Sequence, residues 1–186
     1  MGWIVWAVIG VVIFILLLWV TASYNSFIKG RNKAEEAYST MDVYLKKRFD
    51  LLPNLVETVK GYAAHEKETL DRVIRARQGV SSASTDADRL QKENQLTATL
   101  RTLFAVAEAY PDLKANANFM NLQSQLNMIE EDIANSRKYY NAVVRDFNTR
   151  VESFPGNIIA NMFHFQRKPL YEVDDAAERQ TVKVQF

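Results

Sequence analysis

The run from Trp3 to Ala22, WIVWAVIGVVIFILLLWVTA, contains no charged residue. As an α-helix rising ~1.5 Å per residue it would measure ~30 Å, the thickness of a hydrocarbon core and more than most buried helices need. A membrane-spanning helix is therefore expected within residues 1–24, in contact with membrane lipid. Gly10 and Phe14 lie inside it. Trp3 and Trp6 stand at one boundary and Trp19 with Tyr24 at the other, where amphipathic rings favour the headgroup level. A cleaved signal peptide is the competing reading, because Val20-Thr21-Ala22 before Ser23 offers small residues to a peptidase. Against it, no basic segment precedes the run, and the run exceeds a usual signal-peptide core.

Lys29, Arg31 and Lys33 follow the run, while no Lys or Arg precedes it. The tendency of basic flanks to stay inside predicts the N-terminus outside and the rest in the cytoplasm. The absence of cysteine excludes a disulfide scaffold, a thiol nucleophile and a lipidated cysteine. A net charge of +1, with both signs interspersed, supplies no basic face for a phosphate backbone, so no nucleic-acid partner is expected.

Downstream, apolar residues recur at spacings of three and four. Leu45, Phe49, Leu52, Val56, Val59, Ala63, Leu70 and Val73 form one such stripe, which predicts a helix over about 27–78, kinked near Pro53. GVSSAST at 79–85 breaks it, and Thr85 or Asp86 suits the next N-cap. Leu96, Leu100, Leu103, Ala107 and Tyr110 mark a second helix over 86–110, stopped by Pro111. Phe119, Leu122, Leu126, Ile129, Ile133, Tyr140, Val143 and Phe147 mark a third over 117–153, ending before Pro155-Gly156. Short turns between long amphipathic helices give an all-α fold, an antiparallel up-and-down bundle of three to four long helices over 25–155 behind the span. Residues 156–186 read as a short amphipathic helix and a weakly ordered tail, with a strand-like pattern only at Val182 to Phe186. Ile158, Ile159, Met162, Phe163 and Phe165 form an apolar patch there. It reads either as a cap on the bundle or as an interfacial or partner-binding segment.

Catalytic and cofactor signatures are missing. His65-Glu66 begins a zinc motif, but Thr69 stands where the second histidine belongs, and His164 lies between phenylalanines. On the phase of Ile129 and Ile133, Glu131 points away from the stripe, so Glu130-Glu131-Asp132 reads as a solvated face. No phosphate-cradling glycine motif and no nucleophile elbow is present. No catalytic residue, cofactor or metal is expected. Asn54, Asn116, Asn118, Asn121, Asn141 and Asn148 read as caps and helix contacts.

The segments RFDLLPNLVETVKGYAAHE (48–66), YPDLKAN (110–116), FMNLQ (119–123) and RKYYNAVVRDFN (137–148), with Phe154-Pro155, resemble the LemA family of bacterial membrane proteins, in order over nearly the whole chain. The resemblance implies a helical bundle behind one N-terminal transmembrane helix with a short exterior N-terminus. It implies no established enzymatic activity, and no catalytic residue carries over. It also implies a link to membrane proteases of the HtpX kind and to envelope stress. The function expected is a non-enzymatic, membrane-anchored scaffold that self-associates as a homo-oligomer and engages membrane or envelope quality-control partners. The alternatives are an adaptor of a membrane protease of the HtpX kind and an oligomeric membrane-remodelling protein.

Overall fold

The computed structural model describes residues 2–171, and the strand-like pattern at 182–186 lies outside them. Six helices follow one another: α1 (Gly2–Tyr62), α2 (Lys67–Ser81), α3 (Asp86–Ala107), α4 (Pro111–Lys114), α5 (Ala117–Glu152) and α6 (Gly156–Met162), with no strand among the described residues. The described chain forms two compact units. An anchor unit comprises 2–40 with Lys138–Leu170, and a bundle unit comprises Met41–Arg137 with Tyr171. Helices α1 and α5 contribute residues to each.

In the bundle unit the part of α1 from Met41 to Tyr62 reverses into α2. Arg77 on α2 donates from Nε to the Phe49 carbonyl at 3.3 Å, and its guanidinium lies 3.9 Å from the centre of the Phe49 ring. The contact corrects the expected helix over 27–78. Helix α1 runs through Pro53, and the chain turns back at Ala63–Glu66, where Glu66 leaves helical geometry. Proline at 53 removes the N–H that would bond to the carbonyl four residues earlier, which is that of Phe49. Arg77 satisfies the orphaned acceptor, and the helix continues past the proline.

Helix α3 runs parallel to α1, with Asp42 meeting Arg89 and Glu66 accepting from the Tyr110 hydroxyl at 2.8 Å. Thr85 caps α3, its hydroxyl accepting from the Asp88 N–H at 3.1 Å, and Asn116 caps α5 in the same way through Phe119 at 2.9 Å. Helix α5 returns antiparallel, and its Asn116 amide donates to the Tyr62 hydroxyl at 2.8 Å. The result is the expected up-and-down arrangement. Its core is built from Leu52, Leu55, Leu96, Leu103, Phe119 and Leu126, none more than 1% exposed.

In the anchor unit Phe27 meets Phe147 edge to face at 6.3 Å, with Ile159 and Ala160 of α6 completing a small core. Gly30 makes room for this pair, because a Cβ there would come within 3.1 Å of the Phe147 ring. Trp19, Val20, Val151 and Phe165 pack against the same core. Phe147 is thus buried within the chain and needs no neighbouring subunit to cover it; Tyr139 stays half exposed.

Helix α6 ends in a left-handed cap. The Phe165 N–H reaches back to the Ala160 carbonyl at 2.9 Å and the His164 N–H to that of Asn161 at 3.4 Å. His164 takes the left-handed conformation that this closure demands, with φ of 58°. Its place between two phenylalanines is therefore a helix-stop role. Beyond it, buried Asn148 clasps Lys168 through paired 2.9 Å hydrogen bonds to its N–H and carbonyl, and the Tyr140 hydroxyl holds the Pro169 carbonyl at 2.8 Å.

Candidate functional site

Two features go beyond ordinary helix packing, one in each unit. In the bundle unit the Arg48 side chain is completely buried. Its Nη1 donates to Glu130 and to the Thr97 hydroxyl, both at 2.6 Å. Its Nη2 donates to the Glu93 carboxylate and, at 3.3 Å, to the Glu93 carbonyl. Arg48 Nε has no hydrogen-bond partner among the described residues. Burial disfavours the charged guanidinium, yet Glu130 and Glu93 together hold its pKa above the ordinary value. Burial also raises the Glu93 carboxyl, with Arg48 pulling it back. Tyr171, 1% exposed, lies with its ring 4.0 Å from the Arg137 guanidinium, and burial pushes its hydroxyl upward as well.

Perturbed groups of this kind mark candidate sites. Here, however, both terminal nitrogens of Arg48 are occupied and the Glu93 side chain is 2% exposed, so the cluster offers no open position to a substrate. It fastens α1, α3 and α5 together. The reading of Glu130-Glu131-Asp132 as a solvated face holds for Glu131 and Asp132 and is corrected for Glu130, which is half-buried against Arg48.

The asparagines divide by role. Asn116 and Asn148 serve as cap and clasp. Asn54, Asn118 and Asn121 converge with Thr58 and Gln125 on an open hollow of about 290 Å³, whose lining carries no charge. His65 is exposed in the turn after α1, and no group of three or more potential ligands for a metal occurs among the described residues.

In the anchor unit α1 carries the apolar run, with a mean hydropathy of 2.9 over its best 18-residue window and none of that window buried. Trp3 and Trp6 are each 75% exposed, Gly10 and Phe14 are exposed, and Trp19 is half-buried against the anchor core. The expected patch on α6 is split. Ile159 is fully buried and Phe165 stacks on Phe27 at 5.0 Å, while Ile158, Met162 and Phe163 face outward. Phe163 lies 4.8 Å from Tyr24, just beyond the apolar run. Phe154, which the sequence reading of the patch left out, is the most exposed large apolar residue among the described residues, at 80%.

The sequence profile of the LemA family matches residues 37–186. The chain belongs to the LemA family. Protein LemA of Metamycoplasma hominis is 26% identical, over 81% of this chain and 72% of its own length. Magnetosome protein MamQ 2 of Paramagnetospirillum magneticum is 23% identical, over 97% and 75%, and magnetosome protein MamQ of Magnetospirillum gryphiswaldense is 21% identical, over 88% and 70%. The LemA profile begins after the apolar run, whereas the similarity to MamQ 2 covers nearly the whole chain. The LemA-like motif at 48–66 holds three of the features described above: Arg48 of the buried cluster, Pro53 with its displaced carbonyl bond, and Glu66 at the turn.

Proposed function

We propose that this LemA-family chain is a non-enzymatic, membrane-anchored helical scaffold that self-associates and engages membrane or envelope quality-control partners. The observation that carries this is the disposition of its unusual residues. The buried charges are consumed in joining helices, and the most apolar 18-residue stretch of α1 has no buried residue. In the bundle unit Val43 on α1, Ile74 on α2 and Met120 and Met128 on α5 stay exposed on helices whose core-facing seams are already filled. These supply apolar surface for a second copy. Native mass spectrometry of the full chain in mild detergent is expected to show oligomers at micromolar concentration. A monomer at every concentration would rule out self-association. Photocrosslinking in cells from Met128 distinguishes the adaptor reading: self-crosslinks favour the scaffold, and one dominant membrane-protease partner favours the adaptor.

The proposal places the bundle in the cytoplasm, on the strength of Lys29, Arg31 and Lys33 after the span. Ser84 is exposed in the turn between α2 and α3, and the chain has no native cysteine. Ser84→Cys is expected to react with a membrane-impermeant maleimide only after lysis. Labelling of intact cells would put the bundle outside.

A further inference from the structure

A crevice of about 220 Å³ opens in the anchor unit beside the end of the apolar run. Ser23, Ser26 and Phe27 of α1 form one wall, and Arg150, Ser153, Phe154 and Gly156 form the other. Ser23 directly follows Ala22, so the crevice mouth falls within a turn of the expected hydrocarbon boundary.

Its chemistry is that of a receptor for an anion. Arg150 is exposed and donates to the Ser26 hydroxyl at 2.9 Å; no carboxylate pairs with it among the described residues. The neighbouring acid, Glu152, is taken up by Arg167 at 3.0 Å, which lowers its competition for Arg150. The Ser26 hydroxyl accepts one of the guanidinium's N–H groups, and Ser23 and Ser153 line the same crevice, so the cation keeps donors for an anion. The planar fork of arginine suits a tetrahedral oxyanion, and hydroxyls supply the remaining donors.

The rim argues for what carries the anion. Phe154 borders the crevice at 80% exposure, and Gly156 in the same wall begins α6, on which Ile158 and Met162, with Phe163 at the C-cap, are exposed. A soluble phosphate would gain nothing from them, whereas a lipid brings acyl chains to the place where its headgroup sits. Gly156 keeps the wall close, since a Cβ there would lie 2.7 Å from the Arg150 carbonyl. We infer that this crevice binds the phosphate of an anionic phospholipid, with Arg150 and the serines on the headgroup and Phe154, Ile158, Met162 and Phe163 on the acyl boundary. The inference rests on the reading of the apolar run as a membrane span.

The test uses the full chain in mild detergent, titrated with phosphatidylglycerol or phosphatidylcholine and read by native mass spectrometry. One phosphatidylglycerol should be retained per chain in preference to phosphatidylcholine. Arg150→Gln should weaken retention about tenfold, the scale of one lost charge-assisted bond, and Arg150→Lys should recover part of it. Arg145→Gln, at an exposed site outside the crevice, should leave retention unchanged. Circular dichroism melts of each variant identify any that fail to fold, and Ser23→Ala with Ser26→Ala then serves as the second probe, with the same expected loss. Displacement of the lipid by millimolar inorganic phosphate would make the site one for free phosphate and overturn the lipid assignment. Equal retention by wild type and Arg150→Gln would overturn the crevice. Alkaline carbonate extraction separates the underlying premise: wild-type protein released into the supernatant defeats the span itself, whereas protein that stays in the membrane but shows no lipid preference defeats the crevice alone.

Discussion

Replacing Arg48 by methionine is expected to destabilise the full chain by about 3–5 kcal/mol, the range for removing one partner of a buried ion pair. The guanidinium is wholly buried, and its loss strands the Glu93 carboxylate at 2% exposure and deprives Glu130 of its strongest donor. Urea denaturation in detergent, followed by circular dichroism, measures the effect. Acid should soften it. Burial raises the Glu93 carboxyl above its ordinary value even with Arg48 beside it, so folding disfavours its charged form relative to the unfolded chain. A group shifted in this direction contributes stability that is complete below its unfolded value, ~4.3, and is lost as the pH rises through its folded value. Without Arg48 to pull it down, that folded value climbs further. The gap between wild type and Arg48→Met should therefore be widest near neutral pH and narrow as the pH falls toward the unfolded carboxyl value, ~4.3, because protonation of Glu93 removes the charge that needs a cation. Adding Glu93→Gln to Arg48→Met should recover part of the loss at neutral pH. A variant with wild-type stability at every pH would mean that the cluster does not fasten the helices.

Leu126→Asp should be at least as severe. Leu126 is fully buried in the bundle core, and the change forfeits ~1.5–3 kcal/mol of apolar burial while leaving a charge with no partner. Against a total stability of ~5–15 kcal/mol, the chain should unfold or aggregate. Ile129→Asp, at a half-buried position three residues on, should cost clearly less. A Leu126→Asp melting curve equal to that of wild type would refute the assignment of the buried face of α5.

The periodic stripes were legible because burial and spacing agree: Leu45, Leu52 and Val59 on α1 and Leu96, Leu103 and Ala107 on α3 all lie in the core. The reversal at Ala63–Glu66 was not legible. The stripe keeps its phase across it, and the nearest helix breaker by composition, Pro53, has its effect cancelled by an arginine 24 positions away. The buried cluster left a fainter trace. Met41, Leu45, Arg48, Leu52, Leu55 and Val59 keep alternating steps of four and three, and so do Leu126, Glu130 and Ile133. A charged residue standing in a seam position was the available signal, since burial there demands an opposite charge on a facing helix. The crevice of the anchor unit had no such trace. Ser23 and Ser26 are ordinary residues inside α1, Arg150 and Ser153 ordinary residues at the end of α5, and they are brought together only by the pairing of the two helices.

The packing of Trp19 and Val20 on the core of Phe27, Phe147, Ile159 and Ala160 has a consequence for the span itself. An anchor that only needed to be greasy could be exchanged for any apolar helix of equal length. This one is keyed: its last turn presents a particular azimuth to the protein, and a helix advances 100° per residue, so one added residue between Val20 and Phe27 would turn both contacts away without altering hydropathy. A foreign span grafted onto this chain would have to reproduce two side chains and their phase as well as solubility in lipid.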